Sequence, residues 1–136
     1  MKPFKLVKTK HNLGCTIACI ATVIGTDYDI IDRDFENDFD KDGLAFSDTM
    51  NYLGDNGFSL IHKEIRNYSS VKFGRAEILK PFAPIHIVRL QQKFDSEYGH
   101  VVIMDSEGKL HCPSGFTDEE LDDSYVISNI VGCYKS

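Results

Sequence analysis

Apolar and polar residues alternate with two different periods along the chain, and each period predicts a type of element. Near the start, a stripe of large apolar residues recurs at helical spacing and predicts a helix over residues 13–24 that ends at Gly25. Asn12 is the expected N-cap of this helix. A second stripe consists of small residues: Cys15, Ala18, Cys19 and Thr22. A helix that is apolar on most sides, with one face of small residues, is expected to be buried centrally.

The remaining pattern predicts two short helices followed by an antiparallel sheet. Residues 27–39 form an amphipathic helix or helical turn, and Ser47 caps a helix that runs to Leu53, before a turn at Asn56-Gly57. The apolar alternation predicts strands over residues 4–8, 58–65, 84–90, 100–104, 109–112 and 125–134. Thr117 and Glu120 have the spacing of a capping box for a further acidic helical turn. This order predicts an α+β fold, with residues 1–136 as one domain.

The strand that begins at His100 is predicted to form a hairpin with the strand that follows it. Residues 105–108 suit a three-residue loop in which Gly108 is left-handed. This loop pairs Met104 with Leu110, Val102 with Cys112 and His100 with Ser114. It therefore places His100 and Cys112 on one face as diagonal neighbours. A two-residue loop would instead bring His111 to that face.

Composition and charge narrow the class of protein. The net charge is −6, and no basic stripe with interleaved aromatic residues indicates nucleic acid as a partner. No secretion signal and no apolar run of about 18 residues is present, so we expect a cytoplasmic protein without a membrane partner. The four cysteines match no zinc motif, and in a reducing cytosol free thiols are expected. We therefore expect no cofactor and a peptide or protein as partner, and the sequence leaves the oligomeric state open.

Cys15 is a candidate nucleophile because of its place near the start of the first predicted helix. Unpaired N–H groups and the positive end of the helix dipole favour a thiolate there, which predicts a lowered thiol pKa. Gly14 keeps the approach to the sulfur open, and the following backbone amides can face a developing oxyanion. The competing interpretation of Cys15 is a small buried structural residue.

In order, these segments resemble the C39-type, bacteriocin-processing peptidases of the papain-like superfamily. Three stretches carry the resemblance: residues 14–21 (GCTIACIA), residues 43–58, and residues 84–115, which include the His100-Val101-Val102 strand and the turn after Cys112. They cover about half the chain, and residues 116–136 lie outside the resemblance. The resemblance implies a papain-like fold in which a buried N-terminal helix carries the nucleophile and packs on an antiparallel sheet. It also implies a cysteine hydrolase with Cys15 as nucleophile and His100 as general base.

Two supporting positions depart from the family pattern. The family's oxyanion-stabilising glutamine, six residues before the nucleophile, corresponds to Thr9, for which Asn12 or His11 could substitute. The family's aspartate or asparagine that orients the histidine corresponds to Cys112. Losing one oxyanion donor costs on the order of 100- to 1000-fold in turnover.

Because of these departures, three functions stay open. The first is a peptidase or isopeptidase-like hydrolase that cleaves an amide through an acyl-enzyme. The second is a catalytically weak or inactive papain-like module that binds a peptide or host protein. The small size and acidic composition of the chain are consistent with such a protein encoded by a phage or mobile element. The third is a soft-metal site formed by Cys15, Cys19, His100 and Cys112. His62 and His86 are expected to be structural, and Cys133 has no predicted role.

Overall fold

The computed structural model describes residues 4–10, 14–35, 46–70, 81–92 and 99–135. Among these residues the helices are α1 (Cys15–Ile24), α2 (Tyr28–Asp34), α3 (Phe46–Asp55) and α4 (Asp118–Ser124). The strands are β1 (Phe58–Ser70), β2 (Ile85–Gln92), β3 (Gly99–Asp105), β4 (Leu110–His111) and β5 (Tyr125–Lys135). The expected α+β fold is therefore present.

The five strands form one antiparallel sheet in the order β1-β5-β2-β3-β4. The last strand of the chain, β5, lies between β1 and β2, although residues 116–136 match no part of the resemblance. Successive side chains of β3 point to opposite faces, so one face carries Val101 and Ile103 and the other carries Val102 and Met104. The first face packs against α1, α2 and α3, and the second face packs against Leu121 of α4.

Helix α1 forms the centre of the first core. Residues 16–22 are all buried, which agrees with the prediction of a central, mostly apolar helix. The helix ends at Gly25, whose left-handed conformation (φ 84°) lets its N–H donate to the Ala21 carbonyl oxygen. It begins at Cys15 with Gly14 as N-cap. The helix was predicted to begin at residue 13 with Asn12 as N-cap, and both of these predictions are wrong. Residues 11–13, Asn12 among them, lie outside the described part of the chain.

Four other expectations are corrected. Residues 4–8 form no strand, because the Val7 N–H donates to Thr22 Oγ1 and the Thr9 N–H donates to the Pro113 carbonyl oxygen. Helix α3 already begins at Phe46, so Ser47 lies inside the helix rather than at its N-cap. Strand β1 continues to Ser70, beyond the expected end at residue 65. The expected helix over residues 27–39 is shorter, since α2 ends at Asp34; residues 36–45, like residues 71–80, are outside the described part.

No helix among the described residues is long and apolar enough to cross a membrane.

Candidate active site

Cys15 is the first residue of α1, and its thiol lies at the edge of β3. The Val101 backbone N–H and both the hydroxyl and the backbone N–H of Thr16 donate hydrogen bonds towards the sulfur. Gly14 provides no side-chain cap. Thr16 at the start of α1 supplies two donors and Val101 of β3 supplies a third to one half-buried thiol, which is a site suited to a sulfur anion or an oxyanion.

The pKa of the Cys15 thiol is nevertheless raised rather than lowered. Burial raises its pKa, and the hydrogen bonds from Val101 and Thr16 offset this effect only in part. The expectation that the helix N-terminus lowers this pKa is therefore wrong. Removal from water destabilises the thiolate more than the hydrogen-bond donors stabilise it.

His100 lies near the start of β3, opposite Leu90 of β2, and it is buried. Its Nε2 atom lies 3.1 Å from Cys112 Sγ, at hydrogen-bond distance. Burial lowers the pKa of His100 to about 4, so the ring is neutral at pH 7.

Two aromatic rings enclose His100, and the sequence analysis missed the role of both. The Phe116 ring meets it edge-on with the centroids 5.7 Å apart, and the Tyr125 ring lies tilted by 31° at 5.6 Å. Phe116 is 45% exposed, an unusual degree for a phenylalanine. One feature of the sequence could have indicated that Phe116 lies near His100. Phe116 comes two residues after the turn of Cys112 to Ser114, and that turn was predicted to follow the histidine strand.

The hairpin brings His100 and Cys112 together as the predicted register requires. Met104 pairs with Leu110, and Gly108 is left-handed with φ 89°. The ladder ends at His111, however, because the chain turns there and the Gly115 N–H donates to the Cys112 carbonyl oxygen. The expected strand pairs of residues 112 and 114 are therefore absent, while the side-chain contact between Cys112 and His100 is retained.

The opposite face of the hairpin carries a separate hydrogen bond between a histidine and an aspartate. His111 Nε2 lies 2.9 Å from Asp105 Oδ2, and the His111 ring also meets Phe4 edge-on. Burial raises the pKa of Asp105, but hydrogen bonds from His111 and from the backbone N–H groups of Lys109 and Glu107 together lower it below its ordinary value. The alternative two-residue loop, which would have brought His111 instead of Cys112 to the face of His100, is therefore wrong.

Thr9, the residue at the oxyanion position of the resemblance, is held beside the turn after Cys112. Its N–H donates to the Pro113 carbonyl oxygen, and its hydroxyl accepts a hydrogen bond from Ser114 Oγ at 3.4 Å. Its described hydrogen bonds thus go to this turn and not to Cys15. The alternative donors, His11 and Asn12, lie outside the described residues.

The other cysteines and histidines have local structural surroundings. Cys19 is fully buried, and burial raises its thiol pKa well above the ordinary value. Cys133 is also buried, which raises its pKa to about 12. His86 is completely buried: its Nε2 accepts from the N–H groups of Phe82 and Ala83, and its Nδ1–H donates to the Met104 carbonyl oxygen. On the surface, His62 hydrogen-bonds to Asn129.

The four residues of the predicted soft-metal site do not form a metal centre in the described structure. Cys15, Cys19, His100 and Cys112 are all described, and no group of three or more potential ligands in the described part of the chain has the arrangement to hold a metal ion. The geometry therefore gives this hypothesis no support.

The fold defines the class of protein that this chain resembles: an α+β protein with the fold of the C39-type peptidase domains. The peptidase domain of Streptococcus ComA, a bi-functional ABC transporter involved in quorum sensing, superposes with a TM-score of 0.62 and 15% identity. The match covers 98% of this chain and 100% of that domain. The Streptococcus mutans ComA peptidase domain in complex with a small-molecule inhibitor gives 13% identity and a TM-score of 0.49 over 96% of this chain and 98% of that domain. No protein-family profile and no curated protein matches the sequence.

Proposed function

We propose that this protein is a cysteine hydrolase that forms an acyl-enzyme at Cys15. The observation that carries the proposal is the placement of Cys15 at the first residue of α1, where the N–H of Val101, the residue after His100, donates to its thiol. Cys15 thus adjoins the residue that follows the proposed base in β3, while the described contacts of the His100 ring are with Cys112, Phe116 and Tyr125. The likeness to a peptidase domain supports an amide as the substrate.

The proton transfers in this proposal begin from two neutral groups. His100 takes the thiol proton as the Cys15 sulfur attacks the carbonyl carbon, and the C–N bond then breaks while His100 returns the proton to the leaving amine. Because Nε2 faces Cys112, Nδ1 is the ring nitrogen assigned to this transfer. Water then attacks the thioester, which releases the acid and regenerates the thiol.

The N-terminus of α1 supplies the oxyanion donors in this mechanism. The N–H groups at the start of the helix have no intrahelical partner, so they can donate to an oxygen beside Cys15. Thr9 is not assigned this role, because its described hydrogen bonds hold it at the turn after Cys112 and none of them is to Cys15. The residue that orients His100 is Cys112, and it makes one hydrogen bond without the negative charge of a carboxylate.

Acyl transfer at Cys15 is tested with p-nitrophenyl acetate and mass spectrometry of each cysteine-containing peptide. We expect Cys15 to be acetylated first, and we expect His100→Ala to slow this reaction by about 100-fold or more. Cys19→Ser is the matched control that retains the nucleophile. If Cys15 is acetylated no faster than Cys133, the hydrolase proposal is wrong.

A second candidate function is a binding module with little or no catalysis. It is favoured by the two pKa values, since a raised pKa at Cys15 and a pKa of about 4 at His100 both oppose proton transfer. In this case Cys15→Ser retains binding to the peptide or protein partner, while under the first proposal it abolishes turnover. Both properties can be measured on the same variant.

A further inference from the structure

A large groove lies at the other end of α1 from Cys15. It has a volume of about 1000 Å³, and its lining includes Thr22 to Gly25 of α1 and the segment of residues 4–8. Thr22 is seven residues after Cys15, which is about 10 Å along the helix at about 1.5 Å per residue. The groove is therefore separate from the candidate active site.

The floor of the groove is apolar and only partly covered by the residues that the structure describes. Its apolar side chains are half-buried and pack on the first core: Phe4, Leu6, Val23, Ile24 and Phe58. Ile30, which is 41% exposed, extends the apolar surface at the rim. A continuous apolar lining of this size can accommodate a sizeable apolar ligand.

Lysines flank this floor on two sides, although the chain as a whole carries a net charge of −6. Lys5 and Lys8 lie on the N-terminal segment, and Lys135 lies across the groove, beside Phe58 in the register of β1 and β5. All three are exposed, and no acidic residue in the described part of the chain forms an ion pair with them.

The charges within the groove sum to a positive value. Lys10 is paired with Asp29 at 3.0 Å, so this pair is neutral as a whole. Asp27 is the other acidic residue of the lining, against the three lysines described above. An anionic group is therefore attracted to the groove.

One backbone donor in the N-terminal wall of the groove is already used within the protein. The Val7 N–H donates to Thr22 Oγ1 and is not available to an extended peptide. An acyl chain needs no backbone partner, and its carboxylate needs one cationic group. These observations favour an acyl anion over an added peptide strand.

We propose that this groove binds a long-chain fatty acid, with the acyl chain on the apolar floor and the carboxylate at Lys5, Lys8 or Lys135. The site is independent of the chemistry at Cys15. Occupation is expected to add contacts to the start of α2 and to the N-terminal segment, both of which line the groove.

The proposal is tested by calorimetric titration of the intact protein with dodecanoate below its critical micelle concentration. We expect saturable binding of one equivalent, and roughly fourfold tighter binding for each methylene added between octanoate and dodecanoate. Dodecyltrimethylammonium, which has the same chain and the opposite charge, should bind at least tenfold more weakly. Equal binding of the two amphiphiles would overturn the proposal.

Variants locate the binding site. The triple variant Lys5→Gln, Lys8→Gln, Lys135→Gln is expected to weaken dodecanoate binding by about tenfold. The control variant Lys63→Gln, Lys109→Gln removes exposed lysines outside the groove and should bind normally. Equal affinity of the triple variant and the wild-type protein would overturn the proposal, as would tighter binding of an acidic amphipathic peptide than of dodecanoate.

Two further variants test the apolar floor and the candidate active site separately. Val23→Asn places an amide on the half-buried floor, and it should reduce affinity while thermal unfolding confirms that the variant is folded. Cys15→Ser should bind dodecanoate as the wild type does. Loss of binding in Cys15→Ser would show that the acyl chain occupies the candidate active site and would overturn the assignment to the groove.

Discussion

His100 Nε2 lies 3.1 Å from Cys112 Sγ, so the histidine of the candidate active site is oriented by a thiol. A neutral thiol gives the imidazole a direction without giving it charge. Burial of the ring lowers its pKa to about 4, and no carboxylate among the described residues compensates for this burial.

Replacing this thiol by a carboxylate should strengthen the base. In Cys112→Asp, the negative charge favours the imidazolium, so we expect the pKa of His100 to rise by one unit or more above its present value of about 4. The acetylation rate of Cys15 at pH 7 should rise by about tenfold. NMR titration of His100 checks the pKa, and Cys112→Asn, which is similar in size and neutral, is the control. An equal pKa in the two variants would contradict this electrostatic account.

Phe116 should contribute to the low pKa of His100 by excluding water. Its ring contacts the imidazole edge-on, so Phe116→Ala opens this side of His100 to solvent. We expect the pKa of His100 to move from about 4 towards the ordinary value of 6.5. Phe116→Leu retains an apolar cover and should change the pKa less. NMR titration of the two variants measures this difference, and identical pKa values would show that Phe116 does not shield the ring.

Alkylation by iodoacetamide should distinguish the thiols of the protein. Cys15 is half-buried while Cys19 and Cys133 are buried, so Cys15 should react faster than these two in the folded state. Because burial raises its pKa, the midpoint of its pH dependence should lie above the ordinary thiol value of about 8.5. Mass spectrometry of each cysteine peptide between pH 6 and 10 makes the measurement. A midpoint below 8.5 that disappears in His100→Ala would instead demonstrate a thiolate–imidazolium pair.

Stability should fall as the pH decreases below 6.5. Burial lowers the pKa of both His86 and His100 in the folded protein, so the unfolded chain binds more protons between pH 6.5 and the lowered values. The stability that these groups contribute is complete above pH 6.5 and is lost as the pH falls through the folded pKa values. For His100 this amounts to about 3 kcal/mol by pH 4.

Urea unfolding at pH 7.5, 5.5 and 4.5 measures this loss. His100→Gln removes one titrating group and should reduce the pH dependence between 6.5 and 4. A pH dependence in His100→Gln equal to that of the wild-type protein would assign the loss to other groups.

Gly132 in β5 should be intolerant of a side chain. A Cβ atom there would lie 2.3 Å from Phe82 Cε2 and 2.9 Å from Ala83 Cβ, so the segment that crosses the strand would have to move. We expect Gly132→Ala to lower the free energy of unfolding by about 1–3 kcal/mol. Gly54→Ala in α3 is the control, since a Cβ there meets nothing within 4 Å and alanine favours the helix. Urea unfolding compares them, and equal stability of the two variants would exclude the predicted clash.

Local features of this protein could be predicted because they depend on a few neighbouring residues. The left-handed end of α1 at Gly25 is confirmed, and so are the hairpin register at Gly108 and the capping box of Thr117 and Glu120. In each case the hydrogen bonds join residues at most four positions apart. The register in turn explains why His100 and Cys112 could be expected to meet.

The position of β5 and the pKa of Cys15 depend on burial and on contacts between distant residues, so they follow only from the tertiary structure. Residues 125–134 were predicted as a final strand, but the position of β5 between β1 and β2 follows from packing across the whole sheet. The helix dipole predicted a lowered pKa for Cys15, whereas the environment assembled around it raises that pKa. The reason is that solvent exclusion is set by all elements that surround a group, and the sequence near Cys15 carries only the local donors.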